Sequence, residues 1–113
     1  MILQINDHQD ALVATIQVKE ANLTVSEKFK AELFAQIDGG NKYIVVNFEE
    51  VTYVDSSFLG ALVSALKHAI TNKAEIVVAG LNKDILGLFR LIRLDKAFKI
   101  FDTTAVALAD KAK

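Results

Sequence analysis

The sequence predicts an α/β fold: a mixed sheet of about five strands, mostly parallel with an antiparallel first strand, and about four helices. Three observations carry this. The runs "YIVVNF" (residues 43–48) and "EIVVAG" (75–80) are continuously apolar and β-branched, as strands buried on both faces should be. Amphipathic stretches of helical spacing lie between such runs, and parallel pairing requires crossovers of that kind. Two short apolar segments near the start of the chain are close enough to pair as a hairpin at one edge.

Taken in order, Ile2, Leu3 and Ile5 predict a short first strand, and Asn6–Asp10 a polar turn. Leu12, Ala14, Ile16 and Val18 alternate with Val13, Thr15 and Gln17, which predicts a half-buried second strand. Thr24-Val25-Ser26-Glu27 matches a capping box, with Thr24 as the cap. Val25, Phe29, Leu33 and Ile37 follow at helical spacing, and Gly39-Gly40 supplies a left-handed stop. The segment "VTYVDSSFLGALVSALKH" (51–68) reads as a strand end turning into a long helix. Asn82 can cap a helix carrying Ile85, Leu88, Phe89 and Ile92, and Phe98–Phe101 is a last strand. Asp102, Thr103 and Thr104 can cap a C-terminal helix through Val106 and Ala109.

At 113 residues, 52% hydrophobic and 24% charged, the chain is expected to be a single domain, residues 1–113, with a real core. Its net charge of −1 and lack of a basic block argue against direct nucleic-acid binding. The absence of cysteine removes disulfides, thiolate catalysis and Cys-ligated metals. The N-terminus has no basic start or sustained apolar run, and the most apolar segment, Phe58 to Leu66, is too short for a bilayer. A cytoplasmic protein without membrane insertion is the expectation.

Ser56 and Ser57 follow Asp55 where strand becomes helix. With Ser57 as the first helical residue, Phe58, Leu62, Ala65, Leu66 and Ala69, joined by Leu59 and Ile70, form the core stripe. Ser57 then lines up with Gly60, Ser64, Lys67, His68 and Thr71 on the solvent side. Small residues there leave room for another protein's backbone, so Ser57, Gly60 and Ser64 are the candidate partner-binding residues. Asp55 or Ser56 is the natural N-cap. The serines can be caps and nothing more. Equally, a phosphate on a first-turn serine would lie at the positive end of the helix dipole, so Ser57 can be modified without breaking the fold.

Other chemistries lack their parts. No base can be assigned to Ser57, and the Gly-x-Ser-x-Gly elbow is missing. His68 reads as a solvated helix residue and His8 as a turn residue. Two isolated histidines with scattered carboxylates have no metal-site spacing, and neither a P-loop nor a dinucleotide glycine fingerprint occurs. No enzyme, metal or cofactor is predicted.

The stretch "IVVNFEEVTYVDSSFLGALVSAL" resembles the central motif of STAS domains, specifically the bacterial anti-sigma-factor antagonists. The shared pattern is a β-branched strand, an apolar bridge, Asp-Ser-Ser, a variable residue, Leu-Gly and an amphipathic helix. The segment "EIVVAGLNKDILGLFRLIRLDKAFKIFDTTAVALA" is similar to the family's second half, and the order of elements agrees from about Leu12 to Ala109.

The resemblance implies a protein that binds an anti-sigma factor, itself a serine kinase, and thereby regulates sigma-dependent transcription. Phosphorylation falls on Ser57 and causes release, and a cognate phosphatase resets the protein. Asp55 and Ser56 support the modified site. Asn22 stands where many antagonists have an aspartate. Ile92-Arg93 replaces a Thr-Gly or Ser-Gly pair, which predicts a changed loop, because Arg93 adopts positive φ less freely than glycine. A monomer or weak dimer is expected. The alternative reading is a STAS scaffold subunit of another assembly, such as a lipid-transport complex or a stress-sensing particle, without phosphorylation.

Overall fold

The computed structural model describes residues 1–111; the last two positions of the expected 1–113 domain lie outside the described residues. Strands β1 (Leu3–His8) and β2 (Ala11–Ile16) form the antiparallel hairpin. The first strand is longer than its apolar residues suggest. Asp7 and His8 pair with Leu12 and Ala11, so only Gln9 and Asp10 turn, with Gln9 at φ 53°. As an edge strand, β1 carries its polar residues into solvent.

Then come β3 (Glu20–Ala21), α1 (Leu23–Asp38), β4 (Tyr43–Asn47), β5 (Tyr53–Val54) and α2 (Ser56–Thr71). They are followed by β6 (Glu75–Ala79), α3 (Lys83–Leu91), α4 (Leu94–Ala97), β7 (Ile100–Phe101) and α5 (Thr104–Lys111). The main sheet has the order β1-β2-β4-β6-β7, parallel from β2 onward, and β3 and β5 pair in a separate two-stranded parallel sheet.

One sheet face packs on α1, α2 and α3. Phe29, Leu33 and Ile37 from α1 meet Phe58, Leu62 and Ala65 from α2 over Ala14, Ile44 and Val78. The Phe29 and Phe58 rings stack at 4.2 Å, and Phe48 meets Phe58 and Phe89 edge-on. The opposite face, with Val13, Val45 and Val77, is covered by Ala107 and Leu108 of α5. All six residues of β2 are therefore buried, where alternation predicted a half-buried strand. The Tyr43 hydroxyl donates to the Ala107 carbonyl at 2.9 Å and ties α5 down. Burial pushes the Tyr43 phenol above its ordinary value, and the carboxylates of Glu75 and Asp110 push the same way. No helix among the described residues is long and apolar enough to cross a membrane.

Several local expectations are corrected. Ile70 was expected in the core stripe of α2 and Ile92 on the apolar side of α3, but they are 65% and 46% exposed. Ile70 is turned about 100° from the fully buried Ala69 before it, and Ile92 is the C-cap of α3, past its last helical residue. Of the two stop glycines, only Gly40 is left-handed (φ 96°), while Gly39 stays right-handed as the C-cap. His68 is not simply solvated. Its ring stacks on Phe34 at 4.2 Å and its Nε2 lies 2.6 Å from Asp38 Oδ1. The expected change at Ile92-Arg93 takes an unexpected form, because Arg93 itself holds the left-handed conformation, φ 66° and ψ 22°. The added turn α4 starts from it.

Candidate functional site

The two-stranded sheet builds the site. In β3 and β5, Glu20 pairs with Tyr53 and Ala21 with Val54, and the Asp55 amide donates to the Ala21 carbonyl at 3.1 Å. Each strand runs directly into a helix. Parallel pairing therefore sets Asn22 and Asp55, the N-caps of α1 and α2, side by side.

Asp55 serves both helices. Its Oδ1 accepts from the Phe58 amide at 2.9 Å, and its Oδ2 from the Leu23 amide at 2.8 Å. Each bond satisfies a donor that a helix start leaves without an intrahelical partner. Asn22 Oδ1 accepts from the Thr24 amide at 3.0 Å and from the Thr24 hydroxyl at 2.6 Å. The predicted capping box is thus overturned: Thr24 lies inside the helix and donates to the true cap. With Asn22 capping and Asp55 reaching over, α1 begins one residue before Thr24.

On α2 the helix starts at Ser56, one residue earlier than the sequence suggested, and Asp55 does the capping. Neither serine is the N-cap: of the two candidates, Asp55 and Ser56, Asp55 holds that place. Adjacent helical residues diverge by about 100° around the axis. Ser56 consequently lines an apolar groove of about 260 Å³ with Leu59, Val63, Leu88, Ile92 and Leu94. Ser57 lines a separate groove of about 360 Å³ between α1 and α2, with Ser64, Ser26, Glu27 and Lys30.

Gly60 borders both grooves, and a Cβ added there would meet nothing within 4 Å. The structure therefore brings Ser57, Gly60 and Ser64 onto one edge of α2, with Asp55, Ser56 and Asn22 at its head. Lys30 and the buried Ser26, whose hydroxyl donates to the Leu23 carbonyl, were not singled out from the sequence. Lys30 follows Glu27 by three residues, a spacing that also describes an ordinary solvated pair; nothing local marks it.

The site does not assemble a serine nucleophile with a base. His68 lies eleven residues along the helix from Ser57, about 16 Å at 1.5 Å per residue, and is engaged with Asp38. His8 belongs to β1 at the far edge of the sheet. Among the described residues, no group of three or more His, Asp or Glu side chains is placed to hold a metal ion.

Comparison with known proteins agrees with the fold and with the family resemblance. The sequence model of the STAS domain family matches residues 4–107. A candidate anti-sigma factor antagonist of Thermotoga maritima is 28% identical over 103 residues, covering 89% of this chain and 90% of that protein. The crystal structure of a candidate anti-sigma factor antagonist from the same organism superposes with a TM-score of 0.88 at 21% identity, covering 98% of this chain and 95% of that one. The anti-sigma factor antagonist SpoIIAA in its unphosphorylated form gives 0.74 at 17% identity, with 97% and 96% covered. The phosphorylated form of SpoIIAA, a Bacillus cell fate determinant, gives 0.74 at 18% identity, with 98% and 99% covered. These structures share the fold.

Proposed function

The chain belongs to the STAS domain family, and from that premise we propose that it is an anti-sigma-factor antagonist, a single STAS domain switched by phosphorylation of Ser57. One observation supports this most strongly. Asp55 alone caps α2 and also serves α1, so the Ser57 hydroxyl stands at two adjoining positive helix ends without capping duty, beside Gly60 and Ser64. That SpoIIAA exists in phosphorylated and unphosphorylated forms is consistent with such a switch in a protein of this fold.

In this reading a serine-kinase anti-sigma factor docks over the start of α2 in the cytoplasm, and the sigma factor is freed. The kinase transfers the γ-phosphoryl of ATP to Ser57 Oγ, with loss of the hydroxyl proton and departure of ADP. About −1.5 to −2 charges are added to a chain of net charge −1. The helix dipole favours an anion there by about 0.3–1 kcal/mol at an exposed site, while the Asp55 carboxylate opposes it. The effects on folding nearly cancel. The partner, by contrast, must desolvate a hydrated dianion where it needs close contact with Gly60, so affinity falls steeply. A cognate phosphatase reverses the change.

The test installs phosphoserine at position 57 during translation and compares both forms as baits in extract of the source cells. The unmodified form should retain an ATP-binding kinase-type anti-sigma factor that the phosphorylated form does not, with melting temperatures within about 5 °C. Equal retention by both forms favours a STAS scaffold subunit instead. Loss of secondary structure on phosphorylation would overturn the charge mechanism.

A further inference from the structure

We infer that Lys30 receives the phosphate of Ser57 within the same chain, making the groove between α1 and α2 a phosphate seat. The inference rests on Ser57 being the modified residue. Lys30 and Ser57 line one groove, and Lys30 is its single basic lining residue. Lys30 is half-buried, yet it takes no part in the ion pairs found among the described residues, which join His68 to Asp38 and Lys99 to Glu75 and Asp110. Its ammonium rests 5.7 Å from the centre of the Phe34 ring. At that distance a cation–π contact is a weak hold, and an anion within reach would displace it.

A phosphate on Ser57 is that anion. It projects from the second residue of α2 into the groove and offers three acceptor oxygens. Two carboxylates oppose the pairing. Glu27 lies one turn before Lys30 on α1 and is exposed, so it can turn out to water. Asp55 stays, with both oxygens held by the Leu23 and Phe58 amides. Of the groups facing the phosphate, Lys30 stabilises its dianion and Glu27 and Asp55 resist it; Ser26 and Ser64 are neutral.

The experiment follows the phosphorus resonance of chain carrying phosphoserine 57 from about pH 4 to pH 8, where an unperturbed phosphoserine has its second pKa near 6. At low salt, Lys30→Met should raise the phosphate pKa by about 0.3–1 unit relative to the parent, a shift reduced from that of a buried pair by solvent. Lys30→Arg should keep the parent value, and Glu27→Gln should lower it. An identical titration in parent and Lys30→Met overturns the inference. Should Lys30→Met unfold, the Lys30 ammonium nitrogen resonance of the parent decides: it must respond as the phosphate ionises, and a flat response overturns the inference equally. Because the phosphate is installed without a kinase, this outcome is independent of whether extract yields a kinase partner.

Discussion

The two grooves beside the start of α2 differ in everything except the helix they share. On the α1 side lie Ser57, Ser64, Ser26, Glu27 and Lys30; on the α3 side lie Ser56, Leu59, Val63, Leu88, Ile92 and Leu94. Two consecutive serines thus face opposite chemistries. One hydroxyl opens on a polar seam that includes Lys30, the other on aliphatic side chains. The difference teaches that a motif of adjacent serines is not one site: rotation about the helix assigns each residue its own neighbours.

Gly60 is the hinge of the comparison, since it borders both grooves. Gly60→Arg should reduce partner affinity by at least about 100-fold, equivalent to about 2.7 kcal/mol. Its side chain enters open space, so the fold should persist, and a titration beside a thermal melt measures both. Normal binding by Gly60→Arg would show that the partner uses neither groove.

Asp55→Ala should be the largest loss of stability among the site residues. It removes caps from α1 and α2 together, each worth about 0.5–2 kcal/mol, so denaturant unfolding should show a loss of about 1–3 kcal/mol. A loss confined to one helix would mean that the grooves are anchored separately.

Arg93→Gly probes the border of the apolar groove alone. Arg93 occupies the left-handed region next to Ile92 and Leu94. Left-handed backbone costs a non-glycine residue about 1–2 kcal/mol, partly offset by the greater unfolded freedom of glycine. The variant should be more stable by about 0.5–1 kcal/mol, with the Ser57 phosphate titration unchanged. A shift in that titration would couple the two grooves.

The last test is a control remote from both, read as a slope with pH and not as a loss at one pH. Because burial holds the folded Tyr43 phenol above its ordinary value of about 10, the folded state binds its proton more tightly. Stability from this group is intact below pH 10.0 and declines as pH rises through the folded value. Tyr43→Phe should lose that alkaline slope while leaving both grooves unaltered, as read by unfolding at a series of pH values.

Much of this was legible in the chain. β-branched runs made β4 and β6 readable, and the Asp-Ser-Ser stretch marked the start of α2. The spacing of Phe58, Leu62, Ala65 and Ala69 correctly chose the buried side of that helix, but of the expected solvent-facing edge only Gly60 is exposed, while Ser57 and Ser64 are half-buried in the groove against α1. Thr24 misled because Thr-x-x-Glu is a valid local signature, displaced by Asn22 two residues earlier and by Asp55 from another helix start. Arg93 misled because conformational preference is weaker than the packing that sets α3 against α4. Lys30 gave no signal, since its meaning depends on a groove wall from another helix.

By itself the sequence determined what repeats along the chain: the periods that separate strand from helix, the buried stripes and the motif that carries the family resemblance. These depend on neighbours within a turn or two, where spacing fixes geometry. The tertiary structure alone decided which helix starts meet. The bond from the Leu23 amide to Asp55 joins residues 32 apart, and it exists because β3 and β5 pair in parallel and deliver two helix ends to one place. No local pattern encodes such a contact; it follows from register between distant strands. That register turns a capped serine pair into a polar groove holding Ser57 and Lys30.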